Sequence, residues 1–155
     1  LQAPQLLIGH SLGGAAVLVA ARSIPEINAI ATIGAPSDSD HVTETFARDV
    51  DKIMEDGEAE ICLVGRPFTI KKQFLEDLQS QDMAGVLQAL NKPLLVLHSP
   101  TDQVVGIENA SQIFSIAKHP KSFISLDTAD HLLSKREDAF YAASAIAGWV
   151  ERYIK

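Results

Sequence analysis

Short runs of apolar residues alternate with helical patterns along most of this chain. The four runs lie at 6–8, 29–33, 94–97 and 122–126, and apolar side chains recur at helical spacing after each of them. Strands that are apolar on both faces and alternate with helices form covered parallel sheets. The pattern therefore predicts an α/β fold in which four parallel strands, in sequential order, carry helices on both faces.

The stretch from 37 to 91 breaks this alternation. It begins with helical spacing over 42–53, which Gly57 would end as a C-terminal cap. A β-hairpin is predicted next, with strands at 60–64 and 67–70, and two further helical patterns follow. Because connections between a strand and the next element are usually only a few residues long, we interpret 37–91 as a mostly helical cap insertion over the carboxyl ends of the strands.

Composition narrows the class of protein. The chain has 155 residues, 46% apolar and 21% charged, which is the size and balance of one globular domain. A formal charge of −7 argues against nucleic acid or an anionic membrane as a partner, and no apolar run could cross a bilayer. The single cysteine, Cys62, has apolar sequence neighbours, which favours a buried thiol and a reducing, cytoplasmic location.

A candidate nucleophile lies where the first strand gives way to a helix. The segment 9–13 reads Gly-His-Ser-Leu-Gly, a G-x-S-x-G pattern that gains weight from this strand–helix context. A serine on such a sharp turn exposes its hydroxyl and requires small neighbours. The Leu12 N–H, at the start of the helix, could then stabilise an oxyanion. The alternative is a glycine-rich helix start that merely packs tightly.

A serine hydroxyl needs a base, and the base needs an acid to orient it. Asp102 follows the third strand and His131 follows the fourth, so both would lie with Ser11 at the carboxyl ends of parallel strands. We predict that Ser11, His131 and Asp102 form a triad, with Ser11 Oγ near His131 Nε2. Asp130 and Asp127 are the rival acids.

The other histidines suggest supporting roles. His10, beside the proposed nucleophile, is expected to pack near the site or contact substrate, and His98 is expected to be a hydrogen-bonded structural residue. The sequence has no glycine-rich phosphate loop, zinc pattern or dinucleotide fingerprint. We therefore predict neither a metal nor a cofactor.

Three segments together resemble the α/β-hydrolase superfamily: 9–14, 99–105 and 130–131. The resemblance covers the whole chain, 1–155, as the second half of that fold. It implies that Ser11 is the nucleophile, His131 the base and Asp102 its partner.

A narrower resemblance involves three further segments: 33–36, 65–68 and 98–102. They look like the hydrolase domain of bacterial two-domain proteins. In those proteins a hydrolase of the acyl-peptidase or dienelactone-hydrolase type precedes an OsmC-like, peroxide-resistance domain.

The chain departs from the full α/β-hydrolase pattern before its first strand. A complete hydrolase has earlier strands, and the second oxyanion N–H comes from a loop among them. We expect this chain to be part of a longer product, with low activity when isolated. The strand at 6–8 would then be an exposed edge, which could pair with a second copy.

The sequence is compatible with two functions. The first is a serine hydrolase that cleaves a small-molecule ester, thioester or amide through an acyl-enzyme. The second is a non-catalytic interaction or scaffold domain of a larger protein, which retains the G-x-S-x-G turn only as structure.

Overall fold

The computed structural model describes residues 3–38, 48–63 and 65–155. Its elements, in chain order, are β1 (Leu6–His10), α1 (Leu12–Ala20), β2 (Ala29–Ile33), α2 (Val50–Asp56), β3 (Glu58–Leu63), β4 (Arg66–Lys71), α3 (Lys72–Gln79), α4 (Met83–Ala89), β5 (Leu94–His98), α5 (Ile107–Ile116), β6 (Lys121–Ser125) and α6 (Arg136–Val150). The contacts divide the chain into a main unit, Leu1–Ser37 with Met83–Lys155, and a second unit, Asp38–Asp82.

The main unit contains a parallel sheet with the strand order β1-β2-β5-β6, as the apolar runs predict. Alternate residues of the central strands feed two separate cores. On one face, Ile30 and Val96 pack with buried residues of α1, α4 and α5. On the other face, Ala31 and Leu97 pack with Ala142 and Ile146 of α6. The predicted α/β fold, with helices on both faces of a parallel sheet, is confirmed.

Strand β1 lies at one edge of this sheet in the described part of the chain. Ile8 in this strand is 51% exposed. The pairing of this edge with a second copy stays a prediction.

The second unit contains the predicted hairpin. Strands β3 and β4 pair antiparallel, with Leu63 opposite Arg66 across the turn, and Gly65 takes a positive φ of 75°. Helix α2 ends at Gly57, whose left-handed φ of 85° is the predicted glycine cap. The first part of the helix predicted over 42–53 lies outside the described residues.

The predicted insertion, 37–91, extends too far along the chain. Helix α4 belongs to the main unit, where Met83, Val86 and Leu87 are buried in the core beside α1 and α5. The apolar face of this helix is therefore satisfied by the sheet core, and the second unit ends at Asp82. The placement of that unit as a cap over the strand ends stays a prediction.

The prediction of a buried Cys62 is wrong, because Cys62 is exposed. Neighbouring side chains of a strand face opposite sides. Ile61 is buried, so Cys62 points the other way, where it is paired with the exposed Pro67. Apolar sequence neighbours therefore do not imply burial in a two-stranded hairpin.

Among the described residues, no helix is long and apolar enough to cross a membrane.

Candidate active site

Ser11 occupies the turn between β1 and α1. Its φ of 54° and ψ of −129° lie in a region that residues with a side chain rarely adopt. The Ser11 N–H donates to the Ile33 carbonyl at 2.8 Å, which ties the turn to the end of β2. The strained turn places the hydroxyl beyond the end of the strand, where it meets the side chain of His131.

The glycine positions around Ser11 differ in how much space they leave for a side chain. A Cβ on Gly9 would collide with the Gly13 carbonyl group, and one on Gly14 would collide with the Ala35 side chain. A Cβ on Gly13 would meet nothing within 4 Å. The turn therefore requires glycine at positions 9 and 14 for close packing, whereas position 13 has room for a side chain.

This difference predicts opposite effects of two alanine substitutions on stability. Gly9→Ala forces backbone to move at the buried end of β1 and is expected to lower the free energy of unfolding by about 1–3 kcal/mol. Gly13→Ala is the matched control, because it removes a glycine from a helix start and is expected to raise stability by up to about 1 kcal/mol. Urea denaturation of both variants measures the difference. Equal losses in the two would contradict the packing argument.

His131 bridges Ser11 and Asp102. Its Nε2 lies 2.9 Å from Ser11 Oγ, and its Nδ1 lies 2.7 Å from Asp102 Oδ2. His131 follows β6 and Asp102 follows β5, and each residue is 8% exposed. The structure thus brings together the three residues that the chain order singles out, in a continuous row of hydrogen bonds.

Asp102 is held by its own loop as well. Its Oδ1 accepts the N–H of Val104 at 2.8 Å and that of Val105 at 3.0 Å. Burial acts to raise the pKa of Asp102, but hydrogen bonds from His131, Val105 and Val104 outweigh it and hold the pKa below its usual value. Asp102 is therefore ionised at neutral pH and can hold the proton-bearing Nδ1 of His131.

The lowered pKa of Asp102 makes stability depend on pH in a defined direction. Because the carboxyl binds its proton more weakly in the native state, its contribution is complete above the unfolded-state pKa of about 3.9 and is lost as the pH falls through the native value. The difference in unfolding free energy between wild type and Asp102→Asn should shrink as the pH falls from about 5 to about 3. Urea titrations at several pH values measure this difference. A difference that stays constant down to about pH 3 would contradict the argument.

The two rival acids are engaged elsewhere. Asp130 Oδ1 accepts the Ser134 N–H at 2.8 Å, and hydrogen bonds from Ser134 lower the pKa of Asp130. Asp127 Oδ1 accepts the Ser125 hydroxyl at 3.0 Å. Both carboxylates therefore stabilise the loop that carries His131, and the contact with its ring comes from Asp102.

Gly34 is a site residue that sequence reasoning missed. It follows β2, has a φ of 55°, and donates its N–H to the Leu97 carbonyl at 2.9 Å. A Cβ at this position would lie 3.4 Å from both Asp102 Oδ2 and His131 Nδ1. Gly34 therefore borders the hydrogen bond between Asp102 and His131. The signal in the sequence is a Gly-Ala-Pro segment, 34–36, directly after a strand.

Two further histidines contact the loops of the site. His98 is completely buried, and its Nε2 donates to the Val105 carbonyl at 2.7 Å, as expected of a hydrogen-bonded structural residue. His10 is exposed, and its Nε2 donates to the backbone carbonyl of His131 at 2.6 Å. The rings of His10 and His131 are 5.0 Å apart. His10 thus contacts the backbone of His131 directly.

A further polar group of the turn is the Leu12 N–H. Leu12 is the first residue of α1, and the first N–H groups of a helix have no partner within the helix. This N–H can therefore donate to an oxygen bound at Ser11.

Among the described residues, no group of His, Cys, Asp and Glu side chains could hold a metal ion.

Solved structures of esterases and hydrolases are similar to this chain. An esterase domain from a Rhodothermus marinus protein is 50% identical, with a TM-score of 0.85 over 98% of this chain and 62% of its own. Alpha/beta hydrolase domain-containing protein 10 from mouse is 23% identical, with a TM-score of 0.74 over 98% of this chain and 64% of its own. A structure from work on LipS and LipT, two metagenome-derived lipolytic enzymes, is 19% identical, with a TM-score of 0.74 over 96% and 65%.

This chain therefore spans less than two thirds of the length of each of these three structures. No family model and no curated protein matches the sequence.

Proposed function

We propose that this chain, which belongs to the α/β-hydrolase superfamily, supplies the triad of a serine hydrolase that cleaves esters, thioesters or small amides. The observation that carries the proposal is the row of hydrogen bonds from Ser11 Oγ through His131 to Asp102, at 2.9 and 2.7 Å. These distances lie within the range of about 2.6–3.2 Å that proton transfer to a base requires.

The geometry supports a two-step acyl transfer. His131 Nε2 takes the hydroxyl proton as Ser11 Oγ attacks the acyl carbon, and the ionised Asp102 stabilises the resulting imidazolium. The oxyanion of the tetrahedral intermediate would accept the Leu12 N–H. His131 then gives its proton to the leaving group, which departs and leaves the acyl group on Ser11. Water repeats the sequence with His131 as base, and the acid is released.

Esters come first among the substrates. The solved structure that is 50% identical to this chain, over 62% of its own length, is described as an esterase domain. An ester also has a better leaving group than an amide, so it makes a smaller demand on the acid step at His131.

The narrower resemblance to hydrolases fused to OsmC-like domains and the cytoplasmic location stay predictions.

Trapping of the acyl-enzyme tests this proposal. The natural full-length protein is mixed with 4-nitrophenyl acetate, quenched in acid during turnover and digested for mass spectrometry. We expect one acetyl group on the peptide that contains Ser11, and nitrophenolate release that Ser11→Ala abolishes. Ser111→Ala, which changes an exposed serine on α5, is the control and should behave as wild type. Turnover that persists in Ser11→Ala would overturn the proposal and favour a scaffold role for the turn.

A further inference from the structure

We propose that His10 is a positioning residue that holds the backbone of His131 in register with the nucleophile; this role rests on the proposed function. His10 and Ser11 are consecutive, and they hold the same histidine at two points. Ser11 Oγ lies 2.9 Å from the His131 ring at Nε2, and His10 Nε2 lies 2.6 Å from the His131 carbonyl oxygen.

The position of His10 is itself fixed by the sheet. It is the last residue of β1 and is paired with Ile33 on β2. Ser11 is tied to the same Ile33 through its N–H, at 2.8 Å. Both contacts to His131 therefore start from one rigid strand end, so the distance between nucleophile and base depends on how the loop of His131 is held.

That loop is irregular, and the Ser99 hydroxyl anchors its start by donating to the Asp127 carbonyl at 3.0 Å. It connects β6 to α6 without regular structure, and Asp127 and Leu133 within it have positive φ values of 48° and 50°. The bonds from Leu133 N–H and Ser134 N–H to Asp130 close a turn inside the loop. The His10 bond acts differently, because it joins the loop to the strand that carries the nucleophile.

The chemistry of this bond assigns a donor role to His10. A backbone carbonyl only accepts, so His10 Nε2 must carry the proton that it shares with His131 O. A group that donates to a carbonyl in this way does not act as the base for Ser11. This positioning role is an alternative to the substrate contact that the sequence predicts for His10. The two roles can be separated by kinetics, because loss of a substrate contact changes KM, whereas loss of a positioning contact changes kcat.

Two amide substitutions separate the donor from the rest of the side chain. In His10→Gln the amide nitrogen can reach the place of Nε2 and keep the bond, whereas in His10→Asn the shorter side chain loses it. We expect kcat for 4-nitrophenyl acetate to fall about 10–100-fold in His10→Asn, as for a small misplacement of reacting groups, with KM within about 2-fold. His10→Gln should return kcat to within about 3-fold of wild type. If His10→Asn does not fold, His10→Phe takes its place, since it keeps the ring and lacks the donor.

Each outcome bears on the proposal. A rise in KM with unchanged kcat would overturn it and indicate substrate contact, and so would equal losses of kcat in His10→Gln and His10→Asn. Unchanged kcat in all variants, while wild type is active and Ser11→Ala is inactive, would overturn the role of His10 and leave the proposed function intact. A wild-type protein that forms no acyl-enzyme would overturn both.

Discussion

Replacement of Ser11 by alanine should lower kcat for ester hydrolysis by about 10⁶-fold, the loss that follows removal of a triad nucleophile. The reason is chemical rather than structural. Alanine has no oxygen to attack the acyl carbon, while the hydrogen bond of the Ser11 N–H to Ile33 uses only the backbone. The measurement is the steady-state rate with 4-nitrophenyl esters, in protein purified away from host esterases.

The control for this variant is folding. The unfolding midpoint of Ser11→Ala should stay close to that of wild type, because the substitution removes one hydroxyl from a half-buried position. Combining Ser11→Ala with His131→Ala should cost no more than the single substitution, since the two residues act as one unit. Additive losses would contradict a shared catalytic role.

Replacement of Asp102 by asparagine should lower kcat by about 10⁴-fold. The carboxylate accepts from His131 Nδ1 at 2.7 Å, so it fixes the tautomer in which Nε2 is free to receive the Ser11 proton. Asparagine can present an N–H to Nδ1 and thereby favour the wrong tautomer. KM should change little, because Asp102 is buried and its carboxylate oxygens are engaged by His131, Val104 and Val105.

Asp130→Asn is the matched control for this substitution. Asp130 is adjacent to His131 in sequence, but its Oδ1 accepts the Ser134 N–H, a bond that the amide oxygen of asparagine can keep. Its kcat should therefore remain within about 3-fold of wild type, since a retained acceptor at an exposed position changes little. A large loss of kcat in Asp130→Asn with a small loss in Asp102→Asn would contradict this assignment and indicate that Asp130 is the acid that orients His131.

The sequence predicted the sheet well because burial on both faces leaves a clear trace. The runs at 29–33 and 94–97 have no polar face, as central strands between two helical layers require. The positions of Ser11, Asp102 and His131 followed from the same argument, because each lies in the segment that follows a strand and parallel strands end at a common edge. Local patterns therefore carried both the fold and the choice of the three residues.

Contacts between segments that are distant along the chain produce no comparable pattern in the sequence. The bond from His10 to the backbone of His131 joins residues 121 positions apart, and no spacing rule connects them. Gly34 showed the same limit, because its proximity to Asp102 and His131 depends on how three strand ends come together. A side chain that contacts a backbone carbonyl can be named only when the path of that backbone is known.

Element boundaries and burial outside the sheet were also hard to predict. The position of helix α4 after the hairpin predicts that it belongs to the insertion, yet Val86 and Leu87 complete the core of the main unit. The apolar neighbours of Cys62 predict burial, whereas a two-stranded hairpin buries only alternate residues. In both cases tertiary packing decided what the local pattern left open.

Labelling by a fluorophosphonate probe is the most direct test of the central claim, that Ser11 is a nucleophile activated by His131 and Asp102. The natural full-length protein, Ser11→Ala and Asp102→Asn are treated with the probe, and the modified peptide is identified by mass spectrometry. We predict one phosphonyl group per chain on Ser11 in wild type, none in Ser11→Ala, and much slower labelling in Asp102→Asn. A folded wild-type protein that resists the probe, or that is labelled at another residue, would contradict the account.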